Sequence, residues 1–267
     1  MRPGDSLKER MAASGYLLNG YCAMPSPFAA EIYSRQGWDS VTIDMEHGSI
    51  GFDGAVAILQ AITASGVIPL VRIAQVDPAL IGMLLDAGAL GITCAMINNA
   101  AEARALVRAC KYPPHGTRSL SRVMRAAMIH GPDYNARANE FTNVFAMIET
   151  ADGLANLDEI TAVDGIDGIY VGSVDLAMSV LGRFPPPIGS DAEIDAMLED
   201  ANRRIVARCK SRGIIAGINA TTVDVAGRMI AAGFTFITLS SDVRAMVLQT
   251  KAWIDGVRRV AEGSRSK

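Results

Sequence analysis

The stretch IPLVRIAQVDPALIGMLLDAGALGITCA, Ile68–Ala95, reads as one complete strand–helix–strand unit. Ile68–Arg72 is a short apolar run of strand length. Asp77-Pro78 then supplies a helix N-cap followed by proline at the first helical position, where the missing N–H costs nothing. A second short apolar run, Gly91–Ala95, closes the unit. Two strands joined through a helix run parallel, because that crossover brings the chain back to the edge it left.

The same rhythm extends in both directions. Upstream, Asn19–Ala23 and Ser40–Asp44 read as strands; downstream, Asn143–Ile148, Gly168–Val171, Ile215–Ile218 and Phe236–Ser240 do so. The runs are nearly continuous in apolar residues, as strands covered on both faces should be. Eight such strands in 267 residues predict an α/β fold, a (β/α)8 TIM barrel forming a single domain over residues 1–267. Between strands, Ala100–Cys110 reads as a helix, with Ala103, Leu106, Val107 and Cys110 on one face. A last helix is predicted from about Asp242 to Val260, with Val243, Met246, Val247, Trp253, Ile254 and Val257 at helical spacing. Residues 111–141 interrupt the rhythm as a long insertion, expected to shape the active site at the C-terminal barrel face.

Composition narrows the partners. Half the residues are hydrophobic and the net charge is −3 without a basic block, which disfavours nucleic acid or an anionic membrane. No apolar run approaches a membrane span, and the N-terminus has no signal-like apolar core. Cys22, Cys94, Cys110 and Cys209 lack CxxC spacing and read as reduced and buried, as expected of a cytoplasmic protein.

Chemistry in such barrels sits at the C-terminal strand ends. There the sequence places Asp44 and, after it, His47; Arg72; Glu149; and, past the sixth strand, Asp175. Glu149 and Asp175 on neighbouring strand ends suit a hard divalent ion with oxygen ligands. They equally suit a helix cap and a salt bridge. His47 fits a general base whose ring Asp44 orients, or a loop histidine bonded locally. Arg72 fits a carboxylate or oxyanion binder, or an ion pair. The lysines Lys8, Lys111, Lys210, Lys251 and Lys267 all fall away from strand ends, so a Schiff-base mechanism is disfavoured. The last two loops, INATTVD and LSSDVR, lack a glycine-rich phosphate turn, and no GxGxxG appears. Neither pyridoxal phosphate nor NAD is expected.

At these residues the sequence resembles the HpcH/HpaI aldolase family, the metal-dependent pyruvate aldolases. The matching segments are IDMEHG (Ile43–Gly48), PLVRI (Pro69–Ile73), LLDAGALGI (Leu84–Ile92), KYPPHGTR (Lys111–Arg118), MIETADGLANLDEI (Met147–Ile160) and DGIDGIYVGSVDLAMSVLG (Asp164–Gly182). The resemblance implies a class II aldolase joining or cleaving a pyruvate-type 2-oxo acid and an aldehyde. It implies Glu149 and Asp175 as ligands of one divalent ion, Mg²⁺ or Mn²⁺, with Co²⁺ or Zn²⁺ as alternatives. It implies Arg72 on the 2-oxo oxygen and His47 in proton transfer with Asp44 as its partner. It also implies a homo-oligomer (hexamer, trimer or dimer) using the last helix, with Asp86 reaching a neighbouring subunit's site.

Departures from the family pattern cluster around the substrate. Met147 replaces the usual glutamine, and Ser173-Val174 stand where the family reads Pro-Ala, beside the backbone that receives the substrate carboxylate. Ser119 and Ser121 replace two glycines, and Asn219 replaces leucine. Two other readings share the enolate chemistry: oxaloacetate decarboxylation and a citrate-synthase-like condensation. A third is a metal- and 2-oxo-acid-binding protein without turnover, against which Asp44, His47 and Arg72 together argue, since binding alone needs no base.

Overall fold

A computed structural model of the chain describes residues 6–121 and 124–265. Eight parallel strands close into a barrel in sequence order: β1 Leu17–Cys22, β2 Ser40–Asp44, β3 Ile68–Ile73, β4 Gly91–Cys94, β5 Asn143–Ile148, β6 Gly168–Val171, β7 Ile215–Asn219 and β8 Phe236–Ser241. The β2–β3 register sets Asp44 directly beside Arg72. Helix Pro78–Asp86 is capped as its sequence demands, the Asp77 carboxylate accepting from the N–H groups of Ala79 and Leu80. Helix Ala100–Cys110 is capped by Asn99, and the last helix runs Asp242–Arg265, past the expected end.

The core has two parts. Outward strand residues such as Val41, Val71, Ile92 and Ile169 pack against the helices. Inward ones, including Leu70, Phe145, Tyr170 and Phe236, fill the barrel. Phe145 stacks on Phe236 with ring centres 5.3 Å apart, and a Cβ at Gly168 would lie 2.6 Å from the Phe145 ring, so that position has no room for a side chain. The barrel interior is more polar than apolar runs suggest. Asn19 donates to Thr238 at 2.9 Å and accepts from Ser40 at 2.9 Å and Thr42 at 3.0 Å, so this buried amide is satisfied inside the barrel.

The insertion sits at the end of the barrel opposite to the expected one. It leaves helix Ala100–Cys110 and leads into β5, so topology delivers it to the N-terminal strand ends. Its described residues form helices Arg125–His130 and Tyr134–Phe141; residues 122 and 123 lie outside the description. Lys111 Nζ lies 3.1 Å from the Asp167 carboxylate and donates to the carbonyls of Asn139 and Thr142. Arg118 pairs with Asp86 at 2.6 Å beneath the Tyr112 ring. Together with helix Leu7–Ser14, whose Leu7 is fully buried, this segment plugs the barrel floor. All four cysteines are free and buried. Among the described residues, no helix is long and apolar enough to cross a membrane.

Candidate active site

A cavity of about 540 Å³ opens at the C-terminal ends of the strands, lined among others by Asp44, His47, Arg72, Ser173, Val174, Asp175 and Asn219. Asp44, Arg72 and Asn219 come from the ends of β2, β3 and β7, His47 from the turn after β2, and Ser173, Val174 and Asp175 from the first turn of the helix after β6. Arg72 is held on three sides. Its Nε and Nη2 donate to the two Asp44 oxygens at 3.0 and 2.7 Å, its Nη1 lies 3.1 Å from Glu46, and its guanidinium stacks over Tyr21 at 4.7 Å. A planar fork so fixed presents its remaining face to the cavity at little entropic cost.

Asp44 does not orient the imidazole. Besides Arg72, its Oδ1 accepts the backbone N–H groups of Glu46 and His47, at 3.2 and 3.1 Å. The carboxylate therefore shapes the turn that carries His47 and leaves the ring to a different neighbour. That neighbour is Glu46, whose Oε1 is 3.9 Å from His47 Nε2. The His47 side chain is 66% exposed, so its ring is free to meet a ligand entering the mouth. Glu46 belongs to the quoted IDMEHG motif, yet spacing gave it no task. Its side chain is nearly buried, and its Oε2 lacks a hydrogen bond despite lying beside Arg72. Burial pushes its carboxyl up, with Asp44 and Asp175 adding to the rise and Arg72 and His47 opposing it.

Glu149, just past β5, is 3% exposed. Its Oε1 accepts the N–H of Met96 at 2.7 Å. Met96 holds a left-handed φ of 56°, unfavourable for a side chain with a Cβ, and such conformations persist where surroundings impose them. Behind the carboxylate, a Cβ at Gly172 would fall 2.5 Å from Glu149 Oε2, so glycine is required for the close approach. Burial raises the Glu149 carboxyl to about 7; the Met96 N–H counters it, and Glu46 and Asp175 add to it. Asp175 stands in the first turn of helix Ser173–Leu181 and makes no hydrogen bond or ion pair among the described residues. Gly172, and not Asp175, occupies the cap position.

These two carboxylates fit a hard divalent ion. The donors are oxygen only, the buried one is destabilised as an anion, and the other faces the cavity unpaired. Among the described residues no group of three or more His, Cys, Asp or Glu side chains surrounds a common ion position. Glu149 and Asp175 are the residues that would hold such an ion, with the rest of its coordination left to water and substrate.

Sequence comparison gives this geometry its family. The HpcH/HpaI aldolase/citrate lyase family matches residues 20–248. The chain belongs to that family. It is 39% identical to a hydroxypyruvate/pyruvate aldolase of Rhizorhabdus wittichii, covering 85% of this chain and 88% of that protein. It is also 39% identical to a 2-dehydro-3,6-dideoxy-6-sulfogluconate aldolase of Pseudomonas putida, covering 83% and 85%. A crystal structure of a family protein from Burkholderia cenocepacia J2315 superposes with a TM-score of 0.82 at 30% identity, over 91% of this chain and 95% of that one.

The family match spans every expected site residue, but not all of them lie at the mouth. Asp86 lies at the end of helix Pro78–Asp86, on the floor side, and its partner is Arg118 of the same chain. It does not line the cavity of its own barrel. Met147 does, its Cε pointing towards Gly172. The departures at Ser173, Val174 and Asn219 all fall on the cavity wall, so they alter the pocket and leave the carboxylate–arginine core untouched.

Proposed function

We propose that the chain is a class II aldolase that cleaves or forms the bond between C3 and C4 of a 4-hydroxy-2-oxo acid, with pyruvate or a close relative as donor. The observation that carries this is the buried Glu149 carboxylate, which accepts one N–H, packs against the cavity-lining Gly172 and lies close enough to cavity-lining Asp175 for the two charges to interact, with the Asp44-clamped Arg72 in the same cavity wall. Glu149 and Asp175 hold one divalent ion, Mg²⁺ or Mn²⁺, which when bound supplies Lewis acidity towards the 2-oxo acid. The N–H groups of Ser173 and Val174, in the first turn of helix Ser173–Leu181, receive the donor carboxylate.

In the cleavage direction His47 takes the proton from the C4 hydroxyl. The C3–C4 bond breaks, the aldehyde leaves, and the electron pair becomes the enolate of pyruvate. Arg72 stabilises the charge on the enolate oxygen, and a proton returned to C3 completes the reaction. Asp44 acts through Arg72 and through the turn carrying His47. Among the described residues no lysine lines the cavity, in keeping with enolate rather than Schiff-base chemistry.

The assembly is part of the proposal. Met246, Val247, Trp253, Ile254 and Val257 are exposed along the last helix, an apolar stripe suited to a second copy. Asp86, on the floor of its own barrel, meets an active site only if that site belongs to a neighbour. A monodisperse monomer at micromolar concentration in sedimentation would overturn the assembly. The chemistry is tested by incubating the protein with pyruvate and Mg²⁺ or Mn²⁺ in D₂O, where deuterium enters C3 without any aldehyde. Absence of exchange with either ion refutes the enolate reading.

A further inference from the structure

Among the described residues, two guanidinium groups line the cavity, in opposite situations. Arg72 is already matched by Asp44 at 2.7 Å and Glu46 at 3.1 Å. Arg244, in the first turn of the last helix, meets no carboxylate among the described residues; its Nη2 donates to the Thr221 carbonyl at 3.3 Å. The acid nearest to it in sequence, Asp242, is buried and committed, accepting from the N–H groups of Ala23, Met24 and Val243. Most of the Arg244 donors thus remain available at the rim. The same cavity wall contains Asn219, Thr221, Ser240 and Ser241, with Val174 and Ile188 as apolar surface.

We infer that Arg244 selects the acceptor: an aldehyde carrying an anionic group, carboxylate or sulfonate, at the end remote from its carbonyl. The inference rests on the aldol reading above. The donor's carboxylate and enolate oxygen are served by the Ser173–Val174 turn and Arg72, so the donor leaves Arg244 unused. The acceptor must lie across the new bond from the donor, in the remaining volume, and that volume is bounded by the β7 and β8 ends where Arg244 stands. A guanidinium pairs with carboxylate or sulfonate through two parallel hydrogen bonds. The loops after β7 and β8 lack a glycine-rich turn, which argues against a phosphate ester. Because Arg244 is exposed, the pairing is expected to be modest and screened by salt.

The test measures kcat/KM for condensation of pyruvate with succinic semialdehyde, 3-sulfopropanal and neutral butanal, using the full chain with Mg²⁺. Wild type should favour at least one anionic acceptor by about three- to fivefold, the size of an exposed charge pair. Whichever is favoured identifies the anion. Arg244→Gln should bring that ratio to within about twofold and Arg244→Lys should recover part of it, with the wild-type preference shrinking as salt rises. A wild type without preference overturns the inference. So does an Arg244→Gln variant that keeps the preference, or that loses all three acceptors equally, since Arg244 would then merely brace Thr221. Wild-type deuterium exchange into pyruvate C3 contains no aldehyde, so its failure would indict the aldol reading and not this one.

Discussion

At the floor of the barrel Lys111 meets Asp167 and two carbonyls, and Arg118 meets Asp86 beneath a tyrosine ring. At the mouth Glu149 is buried with a single N–H for company, Glu46 keeps an oxygen without a hydrogen bond, and Asp175 and Arg244 face open space. The same residue types are matched at one end and left wanting at the other. Burying a charge without a full set of partners costs several kcal/mol, so a fold keeps such groups only where something else completes them. Among the described residues, the two buried cations of the floor, Lys111 and Arg118, each meet a carboxylate of the same chain. The mouth waits for an ion, a 2-oxo acid and an acceptor, and the strongest tests perturb one end and read the other.

The largest expected effect is at the proposed ion site. Glu149→Ala or Asp175→Ala should remove metal-dependent C3 exchange and aldol cleavage by on the order of 10³ or more, since Lewis-acid stabilisation supplies several kcal/mol. The folded barrel should persist, and chelated Glu149→Ala should match or exceed chelated wild type in thermal stability, because a destabilised buried anion is gone. Chelated wild type that keeps full activity without added metal would break the contrast between the two ends.

Next come Arg72 and His47, whose losses differ in breadth. His47→Ala should lower aldol cleavage by about 10²–10⁴, the usual cost of a positioned acid–base group. It should spare oxaloacetate decarboxylation, where loss of CO₂ requires no hydroxyl deprotonation. Arg72→Ala should damage cleavage, decarboxylation and C3 exchange together, since all three develop charge on the enolate oxygen. Near-wild-type rates in all three for Arg72→Ala would remove it from the chemistry.

The floor supplies the reciprocal experiment. Lys111→Met leaves Asp167 and the carbonyls of Asn139 and Thr142 without their cation. Breaking a buried pair from one side typically costs about 3–5 kcal/mol. Denaturant unfolding should show that loss, while C3 exchange per folded molecule stays near wild type. A stable Lys111→Met protein with depressed exchange would mean that the floor also serves the chemistry.

The sequence made the barrel legible because strand-length apolar runs and cap residues are local signals: Asp77-Pro78 opens its helix where expected, and Ala100–Cys110 matches residue for residue. Glu149, Asp175, Arg72 and His47 are legible as residues at or just past strand ends, and all four lie in the segments that resemble the family. The misreadings share a cause, which is that spacing carries no direction. The length of the segment between β4 and β5 points to the mouth, but the segment follows the helix and so returns to the floor. Asp44 was given the imidazole, although neighbouring N–H groups and an arginine 28 residues away claim it. Glu46 stood in plain view within IDMEHG, but which way a turn residue points is fixed by three-dimensional packing. Arg244 had a usable signal, a cation three residues beyond a strand end, and closure of the barrel by β8 against β1 is what turns that position into cavity wall.

The smallest effect is the dependence of the chelated protein on pH, and its sign is diagnostic. Burial holds the folded Glu149 carboxyl at about 7 against an ordinary 4.5. Between those values the folded state keeps a proton that the unfolded state has released. Stability therefore falls as pH rises through that window, the reverse of a salt-bridged carboxylate. At about 1.4 kcal/mol per pH unit the loss comes to roughly 3 kcal/mol as an upper bound. Mg²⁺ binds the ionised form, so saturating ion should abolish the decline and release a proton on binding below pH 7. Glu149→Gln, neutral at every pH, should flatten the chelated profile without any ion. The comparison that settles the matter is the difference in unfolding free energy between chelated wild type and chelated Glu149→Gln across pH 4.5–7. A difference that does not vary with pH would mean that the carboxylate at the mouth is as well matched as the charges on the floor, and the contrast between the two ends would fail at its most buried residue.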